Sequence, residues 1–350
     1  MRLRLFTLFI VTSSMLLSCA PNKNNSKQIE LSEHELVLKP GETHTFTLKN
    51  ENGSVGWSSS VDNILKIDAQ NRTITALKEG RTDLVVRIKP NNTDYCDVVV
   101  RNDYIRPTNA IGVATIAHKG YHIDAIENTY EAFQEAGKRN FFGIETDVYL
   151  TKDNYWICNH DAKVKGMDKL IANCTLEEIM AVNLSDNPSK VVNVCRFEDY
   201  INVCAAYNKH PVIEFKESVN VTHIKNLLNY LLQVKVLNGC IFISKLGDVL
   251  GSIYNFKEEF KNLGADYDLQ MLTQESGWQY VPEIINVSSQ YEAINAAMIE
   301  DCKAMGQYVA AWTINDLEIA NSLIAMGVKY ITTDLFECED QFVDNTLFGI

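Results

Sequence analysis

Between Val113 and Thr333 the chain repeats one alternation, a short apolar run that reads as a strand followed by a segment long enough to cross over. The runs are Val113–Ala117, Gly143–Tyr149, Val212–Lys216, Ile241–Ser244, Asp268–Leu272, Ile284–Val287, Tyr308–Trp312 and Tyr330–Thr333. Several of the intervening segments carry helix signals. Asn128-Thr-Tyr-Glu131 reads as a capping box opening a helix to Gly137, and Thr175-Leu-Glu-Glu178 opens another. From Thr222 to Lys235, residues Ile224, Leu227, Leu228, Leu231 and Leu232 fall on one helical face. A ninth run, Tyr155–Asn159, follows the second strand after only a few turn residues, so it can only fold back antiparallel, because a parallel return needs a dozen residues or more. Eight parallel strands within residues 112–350 predict an α/β fold, a (β/α)8 TIM barrel.

Ahead of this region the texture is different. From Ile29 to Val100 short alternating strands are broken by turn residues, as in Thr43–Leu48, Leu65–Asp68, Thr73–Ala76 and Leu84–Ile88. About seven strands with no helical period indicate a small all-β sandwich over residues 29–101. Residues 102–111 form a polar linker containing Pro107. Charge divides at the same place. Residues 112–350 carry 18 Lys+Arg against 33 Asp+Glu, whereas residues 1–111 carry 14 against 12. With a net charge of −13 the chain has no basic footprint for nucleic acid, so no nucleic-acid partner is expected.

The N-terminus reads as an address. Met1-Arg-Leu-Arg4 precedes an apolar run from Leu5 to Leu17, too short to span a bilayer comfortably, and then Ser18-Cys19. This resembles the lipobox of bacterial lipoproteins, with a plain signal peptide or short anchor as the other reading. The resemblance implies that residues 1–19 are a signal, that Cys19 is diacylated, and that residues 20–28 are a tether. Because more than one acyl chain anchors stably where a single chain is marginal, such an anchor would hold the exported protein at a membrane surface, in the periplasm or on the cell exterior. The other eight cysteines are scattered, and several lie in apolar stretches, where they read as small buried hydrophobes rather than bridges.

In a (β/α)8 barrel the reacting groups lie at the C-terminal ends of the strands. His118 follows the first strand directly. Glu145 and Asp147 are two apart near the end of the second, and Glu214 and Lys216 repeat that spacing on the third, so each pair shares a face. His160-Asp161 ends the hairpin that extends the second strand. Glu145, Asp147 and Glu214 offer only oxygen, which suits Ca²⁺ or Mg²⁺ rather than a structural zinc. Inward-facing carboxylates would repel one another unless a cation or lysine neutralised them, so a salt-bridge layer with Lys119 and Lys216 is the alternative.

The whole array resembles the glycerophosphodiester phosphodiesterase family. It is carried by Ile116-Ala-His-Lys-Gly120, Glu127-Asn-Thr129, Gly143-Ile-Glu-Thr-Asp-Val148, Thr151-Lys-Asp153, His160-Asp161 and Ile213-Glu-Phe-Lys216. Trp312-Thr-Ile-Asn315, Gly327-Val328 and Thr332-Thr-Asp334 continue it. The resemblance implies hydrolysis of glycerophosphodiesters to glycerol 3-phosphate and an alcohol. His118 and His160 would be the acid–base pair, and Glu145, Asp147 and Glu214 would hold the divalent cation. Lys119 and Lys216 would offset phosphate charge. Glu127 would bind a glycerol hydroxyl or orient His118, unless it only favours a helix start. Trp312 would wall the glycerol pocket, a core position being the other reading. The family's usual His-Arg-Gly is here His118-Lys119-Gly120, so a point charge replaces a bidentate fork.

Of the remaining histidines, His34 and His44 lie in the sandwich, His210 at the barrel bottom and His223 at a helix start, while His122 is a candidate to face substrate. The 29–101 segment resembles the bacterial immunoglobulin-like type 2 domain through Leu38-Lys-Pro-Gly41, Trp57-Ser-Ser-Ser60 and Ile74-Thr-Ala-Leu-Lys-Glu-Gly80. That likeness implies a spacer, or an adhesion module for a surface glycan or protein. A phospholipase acting on intact lipid and an inactive binding barrel are the competing readings of the whole chain.

Overall fold

The computed structural model describes residues 28–339 apart from Pro90, Tyr104, Arg106, Pro107, Glu275 and Ser276. The signal, Cys19, Pro107 and nearly all of the tether lie outside the described residues.

The N-terminal part is built from two small sheets together with a two-stranded antiparallel pair, Glu30–Leu31 with Leu48–Lys49. β1 (Glu35–Leu38), β2 (Thr43–Thr45), β3 (Gly56–Ser59), β4 (Leu65–Asp68), β5 (Thr73–Ala76), β6 (Gly80–Lys89) and β7 (Asn92–Val100) form a four-stranded sheet, β1-β7-β6-β3, and a three-stranded one, β2-β5-β4. Alternation decides which side chains turn inward. Leu84, Val86, Cys96 and Val98 from the larger sheet meet Leu65, Ile74 and Phe46 in one buried cluster.

The barrel follows. Its strands are β8 (Ala114–Ala117), β9 (Gly143–Leu150), β12 (His210–Phe215), β13 (Ile241–Ser244), β14 (Asp268–Thr273), β15 (Asn286–Gln290), β16 (Val309–Trp312) and β17 (Tyr330–Thr333). All pair in parallel, and β8 bonds both β9 and β17, which closes the ring. The short strands β10 (Trp156–Cys158) and β11 (Cys195–Arg196) extend β9 as an antiparallel hairpin, as the short Lys152–Asn154 turn requires.

Helices α1 (Tyr130–Gly137), α2 (Leu176–Met180), α3 (Phe197–Tyr207), α4 (Val221–Gln233), α5 (Gly247–Tyr254), α6 (Lys257–Lys261), α7 (Ala296–Ala304) and α8 (Leu317–Met326) accompany the strands. On α4, Ile224, Leu227, Leu228 and Leu231 are buried, the face expected from their spacing. The helix α1 lies so close to α3 that a Cβ on Gly137 would stand 2.5 Å from the Tyr207 ring. Inside the ring, Ala114, Ile116, Val212, Ile241, Ile243, Ala310 and Tyr330 plug the lower barrel. Continuing those strands by one pleat turns the next inward side chains toward the open end.

Two sequence expectations shift and a third holds. The cap of α1 is Thr129, whose side chain accepts from the Ala132 N–H, not Asn128, which holds a left-handed φ of 56° and bonds elsewhere. The box at Thr175 and Glu178 has both its hydrogen bonds. The sixth barrel strand runs Asn286–Gln290 rather than Ile284–Val287. Ile284 stays exposed while Ser288 and Ser289 are buried, because this strand presents a small polar residue to the cleft where an apolar run was expected.

The two regions are fastened together. Glu79, fully buried just before β6, accepts hydrogen bonds from Asn102 Nδ2 (2.6 Å), Gln134 Nε2 (2.6 Å), Tyr207 Oη (2.5 Å) and Tyr130 Oη (3.4 Å). Lys78 pairs with Asp199 on α3, and Lys235 with Asp83 at 2.7 Å. Among the described residues no helix is long and apolar enough to cross a membrane, and all eight cysteines are free and buried.

Candidate active site

The open end of the barrel holds a cleft of about 230 Å³. On one side it is lined by His118, Lys119, Glu145, Asp147, His160 and Glu214, with Lys216 beside them. Leu272, Ser288, Trp312, Thr313 and Thr332 form the other side, and Ile243 and Lys245 stand between.

The carboxylates converge because their strands are in register. Asp147 on β9 pairs with Glu214 on β12, and Glu145 lies one pleat below Asp147. One oxygen from each of Glu145, Asp147 and Glu214 lies within 4.8 Å of the others. Asp147 is fixed by Asn128, whose Nδ2 donates to Oδ2 at 2.8 Å while its Oδ1 accepts from Thr146 Oγ1 at 2.8 Å. Glu145 accepts the Lys119 backbone N–H at 2.7 Å. That N–H is aimed by a turn in which Lys119 and Gly120 both take positive φ, 53° and 78°. A Cβ on Gly120 would stand 2.7 Å from the Ala132 carbonyl carbon, so only glycine fits.

Packing three carboxylates together strains their charges. Burial, reinforced by Asp147 and Glu214, pushes the Glu145 carboxyl well above the ordinary range, and burial with Asp147 raises Glu214. Lys216 answers in part, with Nζ 2.9 Å from Glu214 and 3.2 Å from Asp147. Burial opposes the lysine's charge, but the two carboxylates outweigh it and hold the ammonium above the usual lysine value. One lysine against three carboxylates leaves net negative charge and an all-oxygen donor set, which fits a hard divalent cation.

The histidines are held by acids. His118 Nδ1 lies 2.9 Å from Asp334 Oδ1, and His160 Nδ1 lies 2.9 Å from Asp161 Oδ1. Asp334 is clamped in turn, its Oδ2 accepting from Asn315 Nδ2 at 2.6 Å and its own N–H donating to Asn315 Oδ1 at 2.9 Å. Partial burial works to raise the Asp334 carboxyl, but the bonds from His118 and Asn315 prevail and hold it below the usual range. His122 does not line the cleft; its Nδ1 is 3.0 Å from the His118 carbonyl and its Nε2 3.5 Å from Asp334. Glu127 also stands outside the lining and pairs with Lys119 Nζ at 3.2 Å.

Reading the residues singly gives no role in the site to Asn128, taken there as a helix cap, or to Asn315, Asp334 or Lys245. The first three lie inside motifs already noted, which was the available signal. Lys245 had only the two-residue spacing from Ile243.

The model of the glycerophosphoryl diester phosphodiesterase family matches residues 118–337, the stretch that supplies every group just described. The chain belongs to this family. A glycerophosphodiester phosphodiesterase of Caldanaerobacter subterraneus subsp. tengcongensis is 26% identical over 239 residues, 63% of this chain and 93% of the relative. In fold, the barrel is similar to a phosphodiesterase of Oleispira antarctica solved with the product sn-glycerol-3-phosphate. The TM-score is 0.57 at 22% identity, covering 63% of this chain and 92% of that one. It is similar also to a glycerophosphodiester phosphodiesterase of Parabacteroides distasonis, with a TM-score of 0.52 at 23% identity, covering 67% of this chain and 94% of that one. As a member of the family the chain is a phosphoric diester hydrolase with an eight-stranded parallel barrel.

Proposed function

We propose that the cleft hydrolyses glycerophosphodiesters to glycerol 3-phosphate and an alcohol, with the roles divided as follows. The observation that carries this is the meeting of Glu145, Asp147 and Glu214 within 4.8 Å in a cleft also lined by His118 and His160. The three carboxylates would hold Ca²⁺ or Mg²⁺, which when bound polarises the phosphate oxygens. One histidine takes the proton of the oxygen attacking phosphorus, and the other protonates the departing alcohol oxygen as the phosphorus–oxygen bond breaks. Asp334 keeps His118 Nδ1 occupied, which turns Nε2 to the substrate. Lys119 and Lys216 temper the repulsion between an acidic chain and an anionic ester, and Trp312 walls the glycerol.

The finer organisation belongs to the same proposal. Residues 1–19 act as a lipoprotein signal, Cys19 carries lipid, and the protein works at a membrane surface of the periplasm or cell exterior. Residues 29–101 form an immunoglobulin-like unit serving as spacer or adhesion module. The run Leu5–Leu17 before Ser18-Cys19 and the strand texture of residues 29–100 support this.

The test gives purified protein glycerophosphocholine, glycerophosphoethanolamine and glycerophosphoinositol, and separately intact phospholipid, with Ca²⁺, Mg²⁺ or chelator. Glycerol 3-phosphate is released from the water-soluble diesters, and release stops with chelator. Turnover confined to intact lipid would overturn the proposal.

A further inference from the structure

Three lysines line the cleft, and two of them are committed. Lys216 bridges Asp147 and Glu214, and Lys119 is paired with Glu127. Lys245 makes no hydrogen bond or ion pair with any described residue, and its side chain is exposed to the cleft. Its placement follows from the pleat. On β12 the inward residues are Val212 and Glu214, with Lys216 next past the strand end, and on β13, paired with the first two, are Ile241 and Ile243, with Lys245 next past its end. Strand β13 thus presents isoleucine at the level of Glu214 and a cation one pleat higher, beside Lys216. On its other side β14 brings Leu272, the start of the less charged wall that continues to Trp312.

The position separates two jobs for positive charge. The ester phosphate belongs over the carboxylate cluster between β8 and β12, where both histidines face it. Lys245 lies past that cluster at the Leu272 end of the wall, three strands from Trp312, which walls the glycerol, so the alcohol half is the arm left to run past it. Lys245 feels the charge of Glu214 but forms no direct pair among the described residues, so its ammonium is open to an anion that arrives with the ligand.

We propose that Lys245 is a specificity residue that receives a second anionic group, borne by the alcohol half of the diester, so that acidic glycerophosphodiesters are preferred over cationic ones. This rests on diester hydrolysis in the same cleft.

Steady-state kinetics on the full-length protein test it with three diesters: glycerophosphocholine, whose alcohol half is cationic, glycerophosphoglycerol, whose alcohol half is neutral, and glycerophosphoinositol 4-phosphate. Wild type is expected to have the lowest KM for the phosphorylated inositol ester. Lys245→Met is expected to raise that KM about fivefold, the scale of one partly exposed charge pair, with kcat and the other two substrates unchanged. Lys245→Arg should keep the preference, and Lys245→Glu should shift it toward choline. An equal loss on all three esters would place the ammonium on the ester phosphate and overturn the inference, as would no change on any. If wild type turned over none of the diesters, the proposed function would fall and the inference with it. Turnover without charge preference would remove the inference alone.

Discussion

His118 and Asp334 are 216 residues apart in sequence, yet the Nδ1 of one lies 2.9 Å from the carboxylate of the other, across the seam where β8 meets β17. The pair fixes which ring nitrogen faces the cleft. Asp334→Asn is expected to lower kcat by about tenfold to 100-fold, within the range general acid–base groups supply, while leaving KM for glycerophosphocholine nearly unchanged. A matched rise in KM would mean that the acid binds substrate rather than positioning the imidazole. His118→Ala should lose about 100-fold or more.

Removing the divalent cation should abolish turnover and lower thermal stability together, because a cation held by Glu145, Asp147 and Glu214 binds only the folded chain. Differential scanning calorimetry with chelator, Ca²⁺ and Mg²⁺ reads the stabilisation directly. Affinity for the ion should weaken as pH falls, since Glu145 and Glu214 take up protons more readily than ordinary carboxyls. Glu145→Gln should shift the ion titration to higher concentration.

At the other end of the barrel, His210 stacks on Phe142 with ring centroids 3.9 Å apart and bonds the Gly239 carbonyl through Nδ1 at 2.7 Å. Burial depresses it to about 4 from an ordinary 6.5. A depressed folded-state value means that the unfolded chain binds the extra proton between those limits. Stability is therefore intact above pH 6.5 and declines as pH falls toward 4, by about 3 kcal/mol at most from this group. Urea titrations across that window should show the decline, and His210→Gln should flatten it.

Glu79→Ala would leave the buried donors of Asn102, Gln134 and Tyr207 unmatched, at about 2 kcal/mol. Loss of stability in urea, with the N-terminal sheets and the barrel unfolding in separate steps instead of one, is the expected result. A variant that still unfolds in a single transition at the wild-type midpoint would show that Glu79 carries no coupling.

Much of the barrel was legible because its evidence is local. Apolar runs and crossover lengths define the hairpin strand β10 and the barrel strands other than β15, and two-residue spacing puts Glu145 with Asp147 and Glu214 with Lys216. What escaped depends on contacts between distant elements. Asn128 looks like a helix cap until Asp147 is seen beside it. Asn315 and Asp334 carry no periodicity that would reveal a clamp on His118. The sixth strand was displaced because its cleft-facing position is Ser288, and a polar run hides a strand from any reading based on apolar residues.

Glu79 also bears on what a shortened protein would be. A barrel severed at residue 111 would keep every residue of its cleft, but it would carry a scar on the flank of α1 and α3. There Tyr130, Gln134 and Tyr207 would meet water with the donors that once closed on a carboxylate. The N-terminal unit is thus the lid of a socket, and the catalytic half is complete in chemistry while unfinished in surface.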